Sequence, residues 1–185
     1  MKIDRRSTDT RQRLIDTTLD LIDSDGWHAV TLGGVAHACG VTTPACYKHF
    51  PSKTSLFEAA AHQLSASLGQ RADALIQDDP IESLVGIGTL LVDLAAEHPR
   101  LFEFNQVSPA AVAAFDRLDE HPLLALTYGE VERLATQRGT DPEPLHLLVW
   151  SCLQGYTQLI AAGATDADAT FIRAALCAIV TIGDS

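Results

Sequence analysis

The chain has 185 residues, 46% hydrophobic and 20% charged, with a formal net charge of −11 at pH 7. That composition fits a globular protein of ordinary core content, either one domain or a small module joined to a larger one. It excludes a membrane-spanning reading, since no run reaches the roughly 18 apolar residues of a span. The polar opening MKIDRRSTDTRQR lacks the apolar stretch of a secretory signal, so a cytoplasmic protein is expected.

Helical periodicity begins at once. Leu14, Ile15, Thr18, Leu21 and Ile22 repeat on one helix face, and Asp25-Gly26 ends that helix. Thr31 is placed to cap a short second helix with Leu32, Val35, Ala36 and Cys39 on its stripe. Gly33 and Gly34 each weaken it by about 1 kcal/mol relative to alanine. Gly40-Val41 makes a tight turn, and Thr42 or Thr43 caps a third helix that tolerates Pro44 in its first turn. Pro51 stops that helix after Phe50. Ser52 caps a long fourth helix carrying Leu56, Phe57, Ala60, Leu64 and Leu68 to about Gln77.

Further helices are expected near 81–97, 99–106, 109–119, 122–138, 142–163 and 166–182, several of them started by Pro99, Pro109, Pro122, Pro142 and Pro144. No stretch alternates in the β manner, so the fold class is all-α. The last two helices are apolar nearly all round, with Arg173 as a rare charge. Such helices need cover on more than one side, and a second copy of the chain is the expected cover, the alternative being a central core helix of a monomer.

Charge is unevenly spread. Residues 1–53 hold Lys2, Arg5, Arg6, Arg11, Arg13, Lys48 and Lys53 against six aspartates, a net +1, while the remainder is net −12. A near-neutral head on an acidic body suggests a different partner for each part. Cys39, Cys46, Cys152 and Cys177 lie in apolar helical patterns and are expected as buried free thiols.

Two short helices joined by a tight glycine turn form a helix-turn-helix, whose second helix leads into the DNA major groove with its N-terminal residues. Here Val41, Ala45, Cys46 and Phe50 fit the inward side. Thr42, Thr43, Pro44, Tyr47, Lys48 and His49 are left outward. Hydroxyls and amides at a helix start suit phosphate. Lys48 suits guanine, and threonine and proline carbons suit thymine methyls. Lys53 suits a further phosphate. The bland alternative is an ordinary helical corner with a solvated face.

The stretch TRQRLIDTTLDLIDSDGWHAVTLGGVAHACGVTTPACYKHFPSKTSLFEAA is similar to the N-terminal domain of the TetR (tetracycline repressor) family of transcriptional regulators. The similarity covers about residues 10–60, with the DGWHAVTL entry, the VAHACGV turn and the YKHFPSK close in family order. It implies an all-helical homodimer with an N-terminal three-helix DNA-binding domain and a larger helical domain that binds a small ligand and dimerises. The dimer would form through the last two long helices, here about 142–182. Carried over by residue, it implies that Thr31 holds phosphate and that Thr42 caps the recognition helix and meets the backbone. Thr43, Pro44 and Lys48 would lie nearest the bases, with Tyr47, His49 and Lys53 on phosphates. Arg5, Arg6 and Arg11 would form an arm reaching backbone or minor groove. Cys46 is smaller than the aliphatic residue usual in the family, and no arginine stands on the recognition helix.

Other chemistries lack their patterns. Cys39, Cys46 and His49 have no fourth partner at structural-zinc spacing, so no metal is expected. No nucleophile elbow surrounds a serine or cysteine, and GIG at 86–88 is too short for a dinucleotide loop. No catalytic residue and no cofactor are therefore expected. A redox role for Cys152 or Cys177 is disfavoured by their apolar settings. For a ligand pocket the candidates are Phe102, Phe104, Phe115, His146, Trp150, Gln154 and Tyr156, apolar and aromatic side chains with a few polar groups. His146, Trp150 and Gln154 share one face at i, i+4, i+8.

The sequence therefore predicts a DNA-binding domain over 1–53, a linking helix over about 53–77 and a helical ligand-binding and dimerisation domain over 54–185. Its partners would be a double-stranded palindromic operator, a second copy of itself and an unknown small molecule, without a membrane. A repressor released by that ligand is the leading reading. A non-enzymatic helical interaction protein and an activator of the same fold stand beside it.

Overall fold

The computed structural model describes residues 5–112 and 121–182, and among these every regular element is an α-helix. In chain order they are α1 (Arg5–Asp25), α2 (Leu32–Ala38), α3 (Thr43–His49), α4 (Lys53–Asp73) and α5 (Pro80–Glu97). There follow α6 (Pro99–Val107), α7 (Pro109–Val112), α8 (Pro122–Arg138), α9 (Pro142–Ala161) and α10 (Ala169–Ile182). The fold is all-α, as the periodicity predicts. The predicted continuation of α7 to 119 lies outside the described residues.

Helix ends follow local chemistry. α1 stops because Gly26 turns left-handed, with φ of 80°. Ser52 and Ser55 cap α4 reciprocally: the Ser55 amide donates to Ser52 Oγ at 3.1 Å and the Ser52 amide to Ser55 Oγ at 3.2 Å. Asp79 and Asp141 cap α5 and α9 by accepting from the amides of Ile81 and Glu143.

Two compact units emerge. Residues 5–64 with 100–112 form one, and 65–99 with 121–182 form the other. In the first, the predicted face of α1 is buried at Leu14, Ile15, Thr18 and Ile22. Cys46 and Phe50 from α3 and its end, and Leu56, Phe57 and Ala60 from α4, complete the same apolar interior. Phe102 and Phe104 from α6 are also fully buried here, and the Phe104 ring meets Phe57 edge-on at 5.6 Å.

In the second unit α5 packs against α8, α9 and α10. The approach is close at Gly88, where an added Cβ would meet Ile172 Cγ2 at 2.7 Å and Leu153 Cδ2 at 2.9 Å. Arg173 of α10 forms a two-pronged ion pair with Glu82 of α5, one prong at 2.5 Å. That hydrogen bonding holds the Glu82 carboxyl below its usual range. Among the described residues no helix is long and apolar enough to cross a membrane.

One expectation about the cysteines is corrected. Cys39 and Cys46 are buried and Cys152 half-buried, but Cys177 is exposed on α10. The face of α10 that carries it is uncovered within a single chain.

Candidate nucleic-acid interface

The corner between α2 and α3 is built from caps. Thr31 Oγ1 accepts from the Gly34 amide at 3.1 Å and so starts α2 despite its paired glycines. At the other end the Val41 amide donates to the Ala36 carbonyl and the Gly40 amide to the His37 carbonyl, the two bonds of a Schellman close. Gly40 sits at φ of 71°, which that close requires. Two residues later Thr42 Oγ1 accepts from the Ala45 amide at 3.3 Å, making Thr42, of the two candidate threonines, the cap of α3.

Inward and outward sides of α3 fall as the sequence predicts. Cys46 and Phe50 are buried, Val41 and Ala45 half-buried. Burial raises the Cys46 thiol above its usual range, with the neighbouring Cys39 adding to the effect, so it packs as a neutral plug. Thr31, Thr42, Thr43, Pro44, Tyr47 and Lys48 are exposed and His49 is half-buried. Tyr47 is 51% exposed. Lys53 is half-buried, its Nζ 3.5 Å from the Trp27 carbonyl and 4.8 Å from the centre of the Phe57 ring.

The arginines of α1 are placed where the spacing gave no signal. The Arg11 guanidinium lies 4.9 Å over the Phe50 ring at the end of α3. Arg13 Nη2 donates to the Cys39 carbonyl at the end of α2, at 2.8 Å. On the far end of α1, Arg100 of α6 donates to the Asp23 and Ser24 carbonyls. These are contacts between residues 26 to 77 positions apart, and helical periodicity carries no information about such pairs. The side chains of Arg5 and Arg6 lie outside the described residues.

The ligand candidates divide between the units. Phe102 and Phe104 belong to the interior of the first, and Phe115 lies outside the described residues. In the second, the His146 ring stacks towards Trp150 at 6.3 Å and meets Tyr128 of α8 edge-on at 4.9 Å. His146 Nε2 is buried without a hydrogen-bond partner, and burial lowers the pKa of the ring. Gln154 is half-buried on the same helix. Tyr156 is engaged elsewhere: its hydroxyl accepts from the Asp168 amide at 2.7 Å and lies 3.3 Å from the Asp166 and Asp168 carbonyls. A groove of about 320 Å³ runs along α8, lined by Gly129, Glu132, Arg133, Thr136 and Gln137.

A capped, outward-facing second helix on a short bihelical corner defines a helix-turn-helix protein of the DNA-binding class. Residues 14–60 match the family model of bacterial regulatory proteins, tetR family. Residues 14–60 thus carry the DNA-binding module that this family model describes.

Among its relatives, the nucleoid occlusion factor SlmA of Marinobacter nauticus is 28% identical over 148 residues, 71% of this chain and 76% of that protein. SlmA of Photorhabdus laumondii is 31% identical over 111 residues, 54% of this chain and 56% of its own length. The chain therefore spans from little more than half to about three quarters of these relatives. Solved structures agree in fold. A tetR-family transcriptional regulator from Streptomyces coelicolor has a TM-score of 0.72 at 23% identity, covering 99% of this chain and 83% of that one. The regulator FadR of Bacillus subtilis, in complex with stearoyl-CoA, has 0.74 at 14% identity, covering 92% and 97%. RolR in complex with resorcinol has 0.68 at 20% identity, covering 97% and 89%.

Proposed function

We propose that this chain is a ligand-responsive transcriptional repressor, not an enzyme, that binds a palindromic operator in the cytoplasm as a homodimer. The observation that carries the reading is the bared polar flank of α3, which starts at the Thr42 cap and presents Thr43, Pro44, Tyr47 and Lys48. In a dimer two such helices enter successive major grooves about 34–36 Å apart. Thr43, Pro44 and Lys48 would meet base edges. Thr31, Thr42, Tyr47, His49 and Lys53 would hold the phosphates that set register. The DNA-binding part is residues 1–53, and the remainder binds ligand and joins the subunits.

Dimerisation through about 142–182 is supported by exposed apolar side chains on α9 and α10, Leu147, Leu148, Leu159 and Phe171. The ligand site we propose is the face of α9 carrying His146, Trp150 and Gln154, joined by Tyr128. Its aromatic lining fits a small molecule with an aromatic or acyl part. The structural neighbours FadR and RolR were solved with stearoyl-CoA and resorcinol. Such a ligand releases the operator only by binding more tightly to the arrangement in which the two α3 helices are misplaced.

The test is selection of genomic fragments by the protein, followed by affinity measurement on the selected duplex. A shared inverted repeat is expected. Tyr47→Ala or Lys48→Ala should each weaken binding about tenfold or more while dimers persist, the scale of one lost base or phosphate contact. Wild-type affinity in both variants would overturn the assignment. A second reading is favoured by relatives named nucleoid occlusion factors, one matching along 71% of the chain. It predicts many dispersed fragments in the same selection, not a few beside promoters.

A further inference from the structure

The turn that aims α3 is held from outside the helix-turn-helix. Cys39 ends α2, Gly40 reverses the chain at φ of 71°, and α3 begins at Thr43. Four residues thus convert the direction of one helix into that of the next. The Cys39 carbonyl within this turn accepts from Arg13 Nη2 of α1 at 2.8 Å, and a charged donor makes a shorter, stronger bond than a neutral one. Beyond the far end of α3, the Arg11 guanidinium lies over the ring of Phe50. Two arginines two positions apart on α1 therefore reach the two ends of the segment carrying the recognition helix.

Resting on the DNA-binding reading above, we propose that Arg13 is a positioning residue for operator recognition: it fixes the angle of α3 through the Cys39 carbonyl and does not itself meet DNA. A seven-residue helix is about 10 Å long. A tilt of about 10° at its start then moves its far end by nearly 2 Å. Lys48, near that end, moves by about 1.3 Å, enough to break a base-edge hydrogen bond that works over about 2.7–3.2 Å. Phosphate contacts made by flexible side chains tolerate the same displacement. Losing Arg13 should therefore cost sequence discrimination more than total DNA affinity.

The experiment measures affinity for the inverted-repeat duplex selected by the wild-type protein and for a scrambled duplex of equal length. Both are titrated over a range of salt for wild type, Arg13→Met and Arg13→Lys. We expect Arg13→Met to lower the selected-to-scrambled ratio about tenfold, with the slope of log affinity against log salt unchanged. Arg13→Lys, which keeps a donor, should restore most of the ratio. A slope reduced by about one in Arg13→Met would make Arg13 a phosphate contact and overturn the proposal, as would an unchanged ratio. Should Arg13→Met lose the helical signal of the head, Arg13→Ala, a good helix former that also lacks a donor, is read by the same criteria. Failure of wild type to prefer the selected duplex would sink the DNA-binding reading itself, which separates that failure from this one.

Discussion

His146 places opposite demands on one ring. It packs against Tyr128 and Trp150, yet its Nε2 is buried without a partner. Burial disfavours the imidazolium, so the folded pKa lies below the ordinary value of about 6.5. As pH falls through the window below about 6.5 the unfolded chain binds the proton first, and stability declines until the folded ring also protonates. The expected result is a melting temperature that drops on acidification from pH 7 towards 5. His146→Phe should show a smaller drop over that range. Equal pH dependence in the two proteins would refute the assignment. The His146, Trp150 and Gln154 face was readable because it lies within one helix. The reach of Arg11 to Phe50 was not readable. It depends on where a helix more than 35 residues away comes to rest.

Elements were legible where their ends are chemical. Thr31, Thr42, Ser52 and the prolines each mark a start by supplying or forgoing one hydrogen bond. Boundaries moved where a distant residue captures the backbone. α4 ends at Asp73, short of the expected Gln77, and the chain beyond it is bonded from two helices. Ser83 Oγ of α5 accepts from the Gln77 amide at 2.8 Å, and Arg133 of α8 donates to the Gln77 and Asp78 carbonyls at 3.2 and 2.8 Å. α10 likewise starts at Ala169, not 166, where Tyr156 holds the Asp168 amide. Arg133 also pairs with Glu130, whose side chain is 7% exposed while that of Arg133 is 41% exposed. Removing the arginine strands a buried acid, which costs more than removing the pair. Discounting for the exposed guanidinium, Arg133→Met should destabilise by about 1–2 kcal/mol in urea unfolding. Adding Glu130→Gln should recover at least half of that loss. Additive losses would mean the two side chains act independently.

For the whole molecule the question is what covers α9. Its outward positions include Leu148, Ser151, Gly155 and Leu159, two leucines flanking two small residues along one side. Leu148 and Leu159 are 49% and 52% exposed, and covering a leucine fully stabilises by about 1.5–3 kcal/mol. Gly155, between them, lies in open space: an added Cβ there meets nothing within 4 Å. Within one chain, glycine at this exposed helical position therefore costs about 1 kcal/mol relative to a good helix former and returns no packing. A second helix approaching closely would supply the missing reason, since small residues let helix backbones draw near. The two roles give opposite signs. If α9 faces only water, Gly155→Leu raises helix stability and changes nothing else. If a second copy lies against it, the new side chain forces the helices apart. We expect Gly155→Leu to keep its helical content yet sediment as a monomer. It should also lose about a hundredfold or more in affinity for an inverted repeat, because two half-sites are then no longer held by one particle. A dimer of undiminished operator affinity would place the subunit contact on another face and leave this glycine without an explanation.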